Sequence, residues 1–183
     1  MLYVLRHGKT DWNEERKLQG RTDIALNENG RKMAEEAAEE YKDVHFDVCY
    51  TSPLIRARET AEILLKNRDV PILEDERLVE MCFGIYEGVA NSFDTPDLPV
   101  NVIFKEPENY KEALPGAESF EDLFQRTGSF LDEVVYPLLK EGKDVLIVGH
   151  GAMNCSIICQ VKKLPISEFW SAGIKNCKLM KLI

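Results

Sequence analysis

No apolar run in this sequence approaches the roughly 20 residues that a membrane-spanning helix needs. Positive charge is in short supply. Against 32 Asp and Glu stand 23 Lys and Arg, a formal charge of −9 with no basic stripe, which argues against a nucleic-acid surface. Cysteine supplies no framework either. The five, Cys49, Cys82, Cys155, Cys159 and Cys177, are odd in number and never fall in C-x-x-C spacing. Cys155 and Cys159 lie four apart on a predicted helix, a spacing that suits a metal. The simpler reading is small buried residues in a reducing compartment, with no disulfide and no structural metal. There is no low-complexity tract, and no repeat beyond a pair of strand endings described below. The N-terminus opens directly into a strand without a basic region and apolar signal core, which points to the cytoplasm. Histidine is scarcer still, at three residues, and its placement is informative for that reason.

Two of the three histidines close apolar runs. Leu2-Tyr3-Val4-Leu5 reads as a buried strand and stops at Arg6-His7-Gly8. Val145-Leu146-Ile147-Val148 does the same and stops at Gly149-His150-Gly151. Thr10 and Asn13 follow the first ending within reach of the same point. The pairing predicts an enzyme whose active site is built where these strand ends meet.

The 183 residues fit one domain, carrying an irregular loop excursion at about 89–115. A helix is expected over Glu28 to Lys42, capped by Asn27, with Met33, Ala34, Ala37, Ala38 and Tyr41 on its apolar face. Phe46 to Ser52 reads as a strand. Ser52-Pro53 reads as a helix start, and the helix runs to about Lys66, with Arg56 and Arg58 pointing in different directions from its first turn. Val70 to Glu74 is a short strand placed near a sheet edge by Pro71. From Glu80 to Pro115 periodicity fails, as expected for a substrate wall or lid. Ser119 caps the clearest helix, whose apolar positions run from Phe120 to Leu138. A strand at Asp144 to Val148, a helix at Ala152 to Lys162, a short helix in Pro165 to Trp170 and a last strand at Cys177 to Ile183 complete the chain.

Strand–helix alternation of this kind implies an α/β fold, a three-layer α/β/α sandwich with a mostly parallel central sheet. Ligands in such folds bind at the carboxyl ends of the strands. Arg6 and His7, Arg56, and His150 all fall at or just beyond strand ends, where helix N-termini add backbone N–H groups. Cations and helix ends together point to an anion. Net charge does not oppose this. Two unit charges 4 Å apart interact by about 4 kcal/mol at an effective dielectric near 20, whereas acids beyond a Debye length of roughly 8 Å are largely screened.

The phrases LRHGKTDWN, LQGRTDIALNENG, YTSPLIRARETA, LVEMCFGIYEG and VLIVGHG, in this order, resemble the histidine phosphatase superfamily and its phosphoglycerate-mutase-like fold. They cover the chain from residue 3 to about 151; the loop from Val89 to Pro115 matches no pattern. The resemblance implies that His7 is the nucleophile that carries the phosphoryl group. It implies that Arg6, Arg56 and His150 surround the phosphoryl oxygens, and that Asn13 hydrogen-bonds the same group. Gln19 and Gly20 join the substrate- and phosphate-binding set by the same resemblance. Gly8 and Gly151 are expected to let the backbone approach the ligand. Glu80 matches the family's proton donor, and Glu87 is expected to be structural. Arg58 is a candidate substrate contact. Lys9 stands where glutamate or glutamine is common in the family, close enough to touch substrate.

The function implied is a metal-independent phosphomonoesterase, a hydrolase of the histidine acid type, acting on a small phosphorylated metabolite through phosphohistidine. Inorganic phosphate is the product, no cofactor or metal is required, and the protein acts as a monomer or homodimer with neither nucleic acid nor membrane as partner. Phosphoglycerate mutase is the alternative that shares the site, disfavoured because the chain is shorter than the mutases it resembles. α-Ribazole phosphatase and a non-catalytic phosphoester-binding module are further alternatives. Phe83, Tyr86, Phe93, Val102, Ile103, Phe104 and Tyr110 are expected either to wall the substrate or to pin the loop to the core.

Overall fold

The computed structural model describes residues 1–183. In chain order it comprises β1 (Leu2–Arg6), α1 (Asp11–Glu14), α2 (Glu28–Glu40), β2 (Val48–Thr51), α3 (Ile55–Leu65), β3 (Ile72–Glu74), α4 (Asn101–Lys105), α5 (Phe120–Phe130), α6 (Tyr136–Lys140), β4 (Val145–Gly149), α7 (Gly151–Lys162) and β5 (Leu179–Lys181). The five strands form one sheet in the order β3-β2-β4-β1-β5. All pairings are parallel except that of β5 with β1. The expected edge position of the Pro71 segment is observed in β3.

The alternation of β1 decides the layers. Leu2 and Val4 join Val145, Ile147, Phe130 and Met153 on one face. Tyr3 and Leu5 join Cys49, Leu146, Ala34 and Ala61 on the other. Side chains of a strand alternate between faces, so one apolar run feeds two cores, and each core is closed by helices. A third cluster lies off the sheet. There Met81, Phe83, Val100, Ile103, Tyr110 and Phe169 pack on Ala152, Cys155 and Cys159 of α7. The two cysteines at helical spacing are thus core residues, and burial pushes their thiols up, Cys155 to about 12 and Cys159 to about 11.

Three local readings need correction. The helix after β2 begins at Ile55 rather than at Ser52-Pro53. Ser52 Oγ accepts the N–H of Leu54 at 3.2 Å within the turn, and the N–H of Ile55 is capped from afar by Asp23 Oδ1 at 2.8 Å. The helix from Phe120 is broken by a π turn over Leu131–Val135. The ladder shifts there because Pro137 has no N–H to give the carbonyl four residues back. Finally, the excursion at 89–115 is not wholly irregular, since α4 and a 3₁₀ turn at Pro107–Asn109 pack it onto the third cluster.

Candidate active site

The register Arg6↔Gly149 between β1 and β4 ends both strands at the same height, and the N–H of His7 donates to the Gly149 carbonyl at 2.9 Å. The rings of His7 and His150 therefore lie side by side, centroids 5.2 Å apart. Both are buried. His7 Nδ1 lies 2.6 Å from the carbonyl oxygen of Gly8. A carbonyl only accepts, so Nδ1 carries the proton and Nε2 keeps a lone pair. Burial first, then the guanidinium groups of Arg56 and Arg6, hold His7 well below the usual imidazole range. The ring is consequently neutral, with the Nε2 lone pair available as an acceptor.

Arg56 is positioned by the QGRTD turn. Its two terminal nitrogens donate to the carbonyls of Gly20 at 2.6 Å and Thr22 at 2.9 Å, and its Nε faces His7 Nε2 at 3.3 Å. Burial lowers this guanidinium to about 10, so it stays charged at neutral pH. Arg6 donates to the Ile174 carbonyl at 3.3 Å, while its Nε is buried without a partner. The two ring nitrogens of His150 are also buried and unpartnered. Buried polar atoms of this kind are costly, and their gathering around His7 marks a place prepared for an oxyanion.

Glu80 faces this point from the loop after β3. Its Oε1 accepts the N–H groups of Met81 at 2.8 Å and Met153 at 2.9 Å, and Oε2 accepts that of Ala152 at 3.2 Å. The carboxylate thus caps the first turn of α7, where the helix dipole favours negative charge. The segment is held from outside as well. Buried Glu118 is gripped by Arg126 at 2.7 and 3.0 Å and accepts the N–H of Cys82 at 3.3 Å. Arg21 pairs with Glu118 at 3.2 Å and donates to the Glu80 carbonyl at 3.3 Å. Glu87 has the expected structural role: it accepts the N–H groups of Arg21, Thr22 and Phe83 and so ties the two loops together.

Arg6, His7, Arg56 and Glu80 form the polar floor of a cavity of about 290 Å³. Asn13, Gln19, Gly20 and Gly151 lie on the same lining. Asn13 is the third residue of α1 in a capping box with Thr10. Its Oδ1 accepts the Thr10 N–H at 3.1 Å, which leaves the amide N–H₂ uncommitted within the capping box. The opposite wall is apolar: Leu18, Phe83, Phe93, Phe104 and Trp170. Of the predicted wall, only Phe83, Phe93 and Phe104 reach the cavity. Ile103 and Tyr110 are buried in the third cluster, with Tyr86 and Val102 packed against it.

Other predicted residues sit elsewhere. Gly8 is a packing glycine: a Cβ there would lie 2.4 Å from the Gly30 carbonyl oxygen. His150 is fully buried beside His7, its unpartnered ring 5.2 Å from the His7 ring. Arg58 pairs with Glu74 at 3.4 Å and is not on the cavity lining. Trp170, Lys17 and Leu18 were not legible as site residues, because no local pattern joins them to the His-Gly endings. The Thr10-x-x-Asn13 spacing was a signal for α1 that a polar-segment reading passes over.

The family model for the histidine phosphatase superfamily (branch 1) matches residues 2–183, including the loop that carries no motif of its own. An uncharacterized phosphatase PhoE of Bacillus subtilis is 37% identical over 160 residues, covering 86% of this chain and 75% of that protein. A 2,3-bisphosphoglycerate-dependent phosphoglycerate mutase of Cytophaga hutchinsonii is 32% identical over 166 residues, covering 90% and 78%. Among solved structures, Bacillus stearothermophilus YhfR superposes with a TM-score of 0.80 at 36% identity, covering 93% of this chain and 83% of that one.

Proposed function

The chain belongs to the histidine phosphatase superfamily, and from that premise we propose that it is a metal-independent phosphomonoesterase acting on a small phosphorylated metabolite. The observation that carries this reading is the His7 imidazole, its Nδ1 proton committed to Gly8 and its Nε2 lone pair turned toward Arg56, whose Nε–H it accepts at 3.3 Å until substrate displaces that contact. Nε2 attacks the phosphorus and forms a phosphohistidine. Arg6, Arg56, Asn13 and a ring N–H of His150 stabilise charge on the equatorial oxygens. Glu80 gives a proton to the departing oxygen. With Oε1 held by two N–H groups, Oε2, which accepts one and lies beside Gly151, is the oxygen placed to do so. The same carboxylate then takes a proton from the water that cleaves the phosphohistidine, releasing phosphate and restoring neutral His7. The aromatic wall favours a substrate with apolar bulk beyond the phosphate.

The test is release of p-nitrophenol from p-nitrophenyl phosphate in EDTA, with wild type beside His7→Ala. Metal-independent turnover that the substitution abolishes is the expected result. Turnover that EDTA abolishes, or that His7→Ala retains, overturns the mechanism. The mutase relative motivates one second reading. A wild type silent on this ester but active on 3-phosphoglycerate with its bisphosphate primer is a phosphoglycerate mutase.

A further inference from the structure

Beside the cavity runs a second, more open groove of about 290 Å³. The two share Arg6, Asn13, Lys17 and Phe93, so they form one continuous depression. The groove adds Lys9, Arg16 and Asn176. Four cations and no carboxylate line it, on a chain whose formal charge is −9. Arg16 and Lys17 have acidic partners, Asp94 and Glu15, that stand outside the lining, and Lys9 forms no ion pair within the fold.

The cationic wall is also built rather than loose. Arg16 and Asn91 have φ of +56° and +55°, a conformation that non-glycine residues hold only where their surroundings impose it. They are bonded to each other: the Asn91 N–H donates to the Arg16 carbonyl at 2.9 Å, and Arg16 Nε donates to Asn91 Oδ1 at 3.0 Å. Lys17 then pairs across to Ala90, and the Leu18 N–H donates to the Val89 carbonyl at 3.2 Å. On the far side, Asn176 donates to the His7 carbonyl at 2.7 Å, which ties that wall to the nucleophile's own backbone.

We propose that this groove is an anion subsite of the same active centre, and that the substrate is a phosphomonoester bearing a second negatively charged group. The inference rests on the phosphatase reading above and narrows it. The phosphoryl group would sit on the floor at His7. The body would cross the mouth along Phe93, and a carboxylate or second phosphate would meet Lys9 and Lys17. Because the groove is open to solvent, attraction there is screened by salt, unlike the buried contacts on the floor.

A matched pair of esters tests it: 4-carboxyphenyl phosphate against 4-carbamoylphenyl phosphate, alike in shape and different in charge. The readout is the ratio of their kcat/KM values within each protein. In wild type at low salt the carboxylate is expected to be favoured about three- to five-fold, the range of a partly exposed ion pair. That ratio should fall toward one in Lys9→Gln combined with Lys17→Gln, and in wild type at high salt. A third ester, 1,4-phenylene bisphosphate, tells which anion is preferred. A wild-type ratio of one, or a ratio untouched by the substitutions, overturns the subsite. Calorimetric binding of the same pair separates the two readings. Charge-dependent affinity without turnover supports the subsite and removes the phosphatase; turnover with equal affinities does the opposite.

Discussion

The two His-Gly strand endings look alike in sequence, lie in register on neighbouring strands, and are held in different surroundings. At the first, the glycine carbonyl fixes the imidazole proton and leaves a lone pair, while the glycine α-carbon is pressed against Gly30. At the second, neither ring nitrogen has a partner, and the glycine opens α7 and faces Glu80 Oε2 at 3.6 Å from its missing Cβ. A repeated phrase therefore marks a shared location, not a shared role. What would separate nucleophile from oxyanion partner in the proposed reaction is one carbonyl and the packing around one glycine.

The sharpest way to break this comparison is to remove each ring in turn. His7→Ala deletes the nucleophile and should lower kcat on p-nitrophenyl phosphate by at least about ten-thousand-fold, as loss of a covalent catalyst does. His150→Ala deletes only a donor to the oxyanion and should cost about a hundred- to a thousand-fold. Steady-state kinetics on both variants checks this. Equal losses would mean that the two rings share one role after all.

The glycines offer a second break, read as stability. At Gly8 an added Cβ meets the Gly30 carbonyl oxygen at 2.4 Å, a backbone atom that cannot swing away. Overpacking of this kind costs about 1–3 kcal/mol, so Gly8→Ala should lower the urea midpoint clearly. At Gly151 the nearest atom is 3.6 Å away, and alanine suits a helix better than glycine. Gly151→Ala should stay within about 0.5 kcal/mol of wild type, with its effect appearing in KM because the residue lines the cavity.

How far the molecule was legible follows from the range of the forces involved. Strand alternation, the Asn27 cap, whose Oδ1 accepts the Gly30 N–H at 2.8 Å, and the opposed directions of Arg56 and Arg58 are local, and they stand as read. The meeting of Arg6, His7 and His150 was legible as well, because neighbouring strand ends in a parallel sheet converge wherever the chain places them. What escaped is long-range. The cap of α3 comes from Asp23, the loop of Glu80 is fixed by Glu118 and Arg126, and the apolar wall takes Trp170 from far along the chain. Nothing in the residues adjacent to any of these announces the contact. Gly8 belongs with these: the close approach of Gly30, which requires glycine there, has no signal in the neighbouring residues.

The last expected effect tests the neutral state that both rings share. Burial, reinforced by Arg56, holds His7 and His150 well below the usual imidazole range. In the unfolded chain each would bind a proton near its ordinary value of about 6.5. Below that pH the unfolded state therefore carries more protons than the folded one, and stability falls as pH falls. The slope is about 1.4 kcal/mol per pH unit for each ring, and it vanishes above about pH 7.5, where neither state protonates. Urea unfolding between pH 7.5 and 5.5 should show this decline in wild type and roughly half of it in His7→Ala or His150→Ala. Inorganic phosphate should flatten the wild-type slope, since an anion on the floor offsets the two guanidinium charges and accepts from a protonated ring. If one alanine variant kept the full slope, the ring it lost would take up protons alike in the folded and unfolded chain, and burial would not be what holds it neutral.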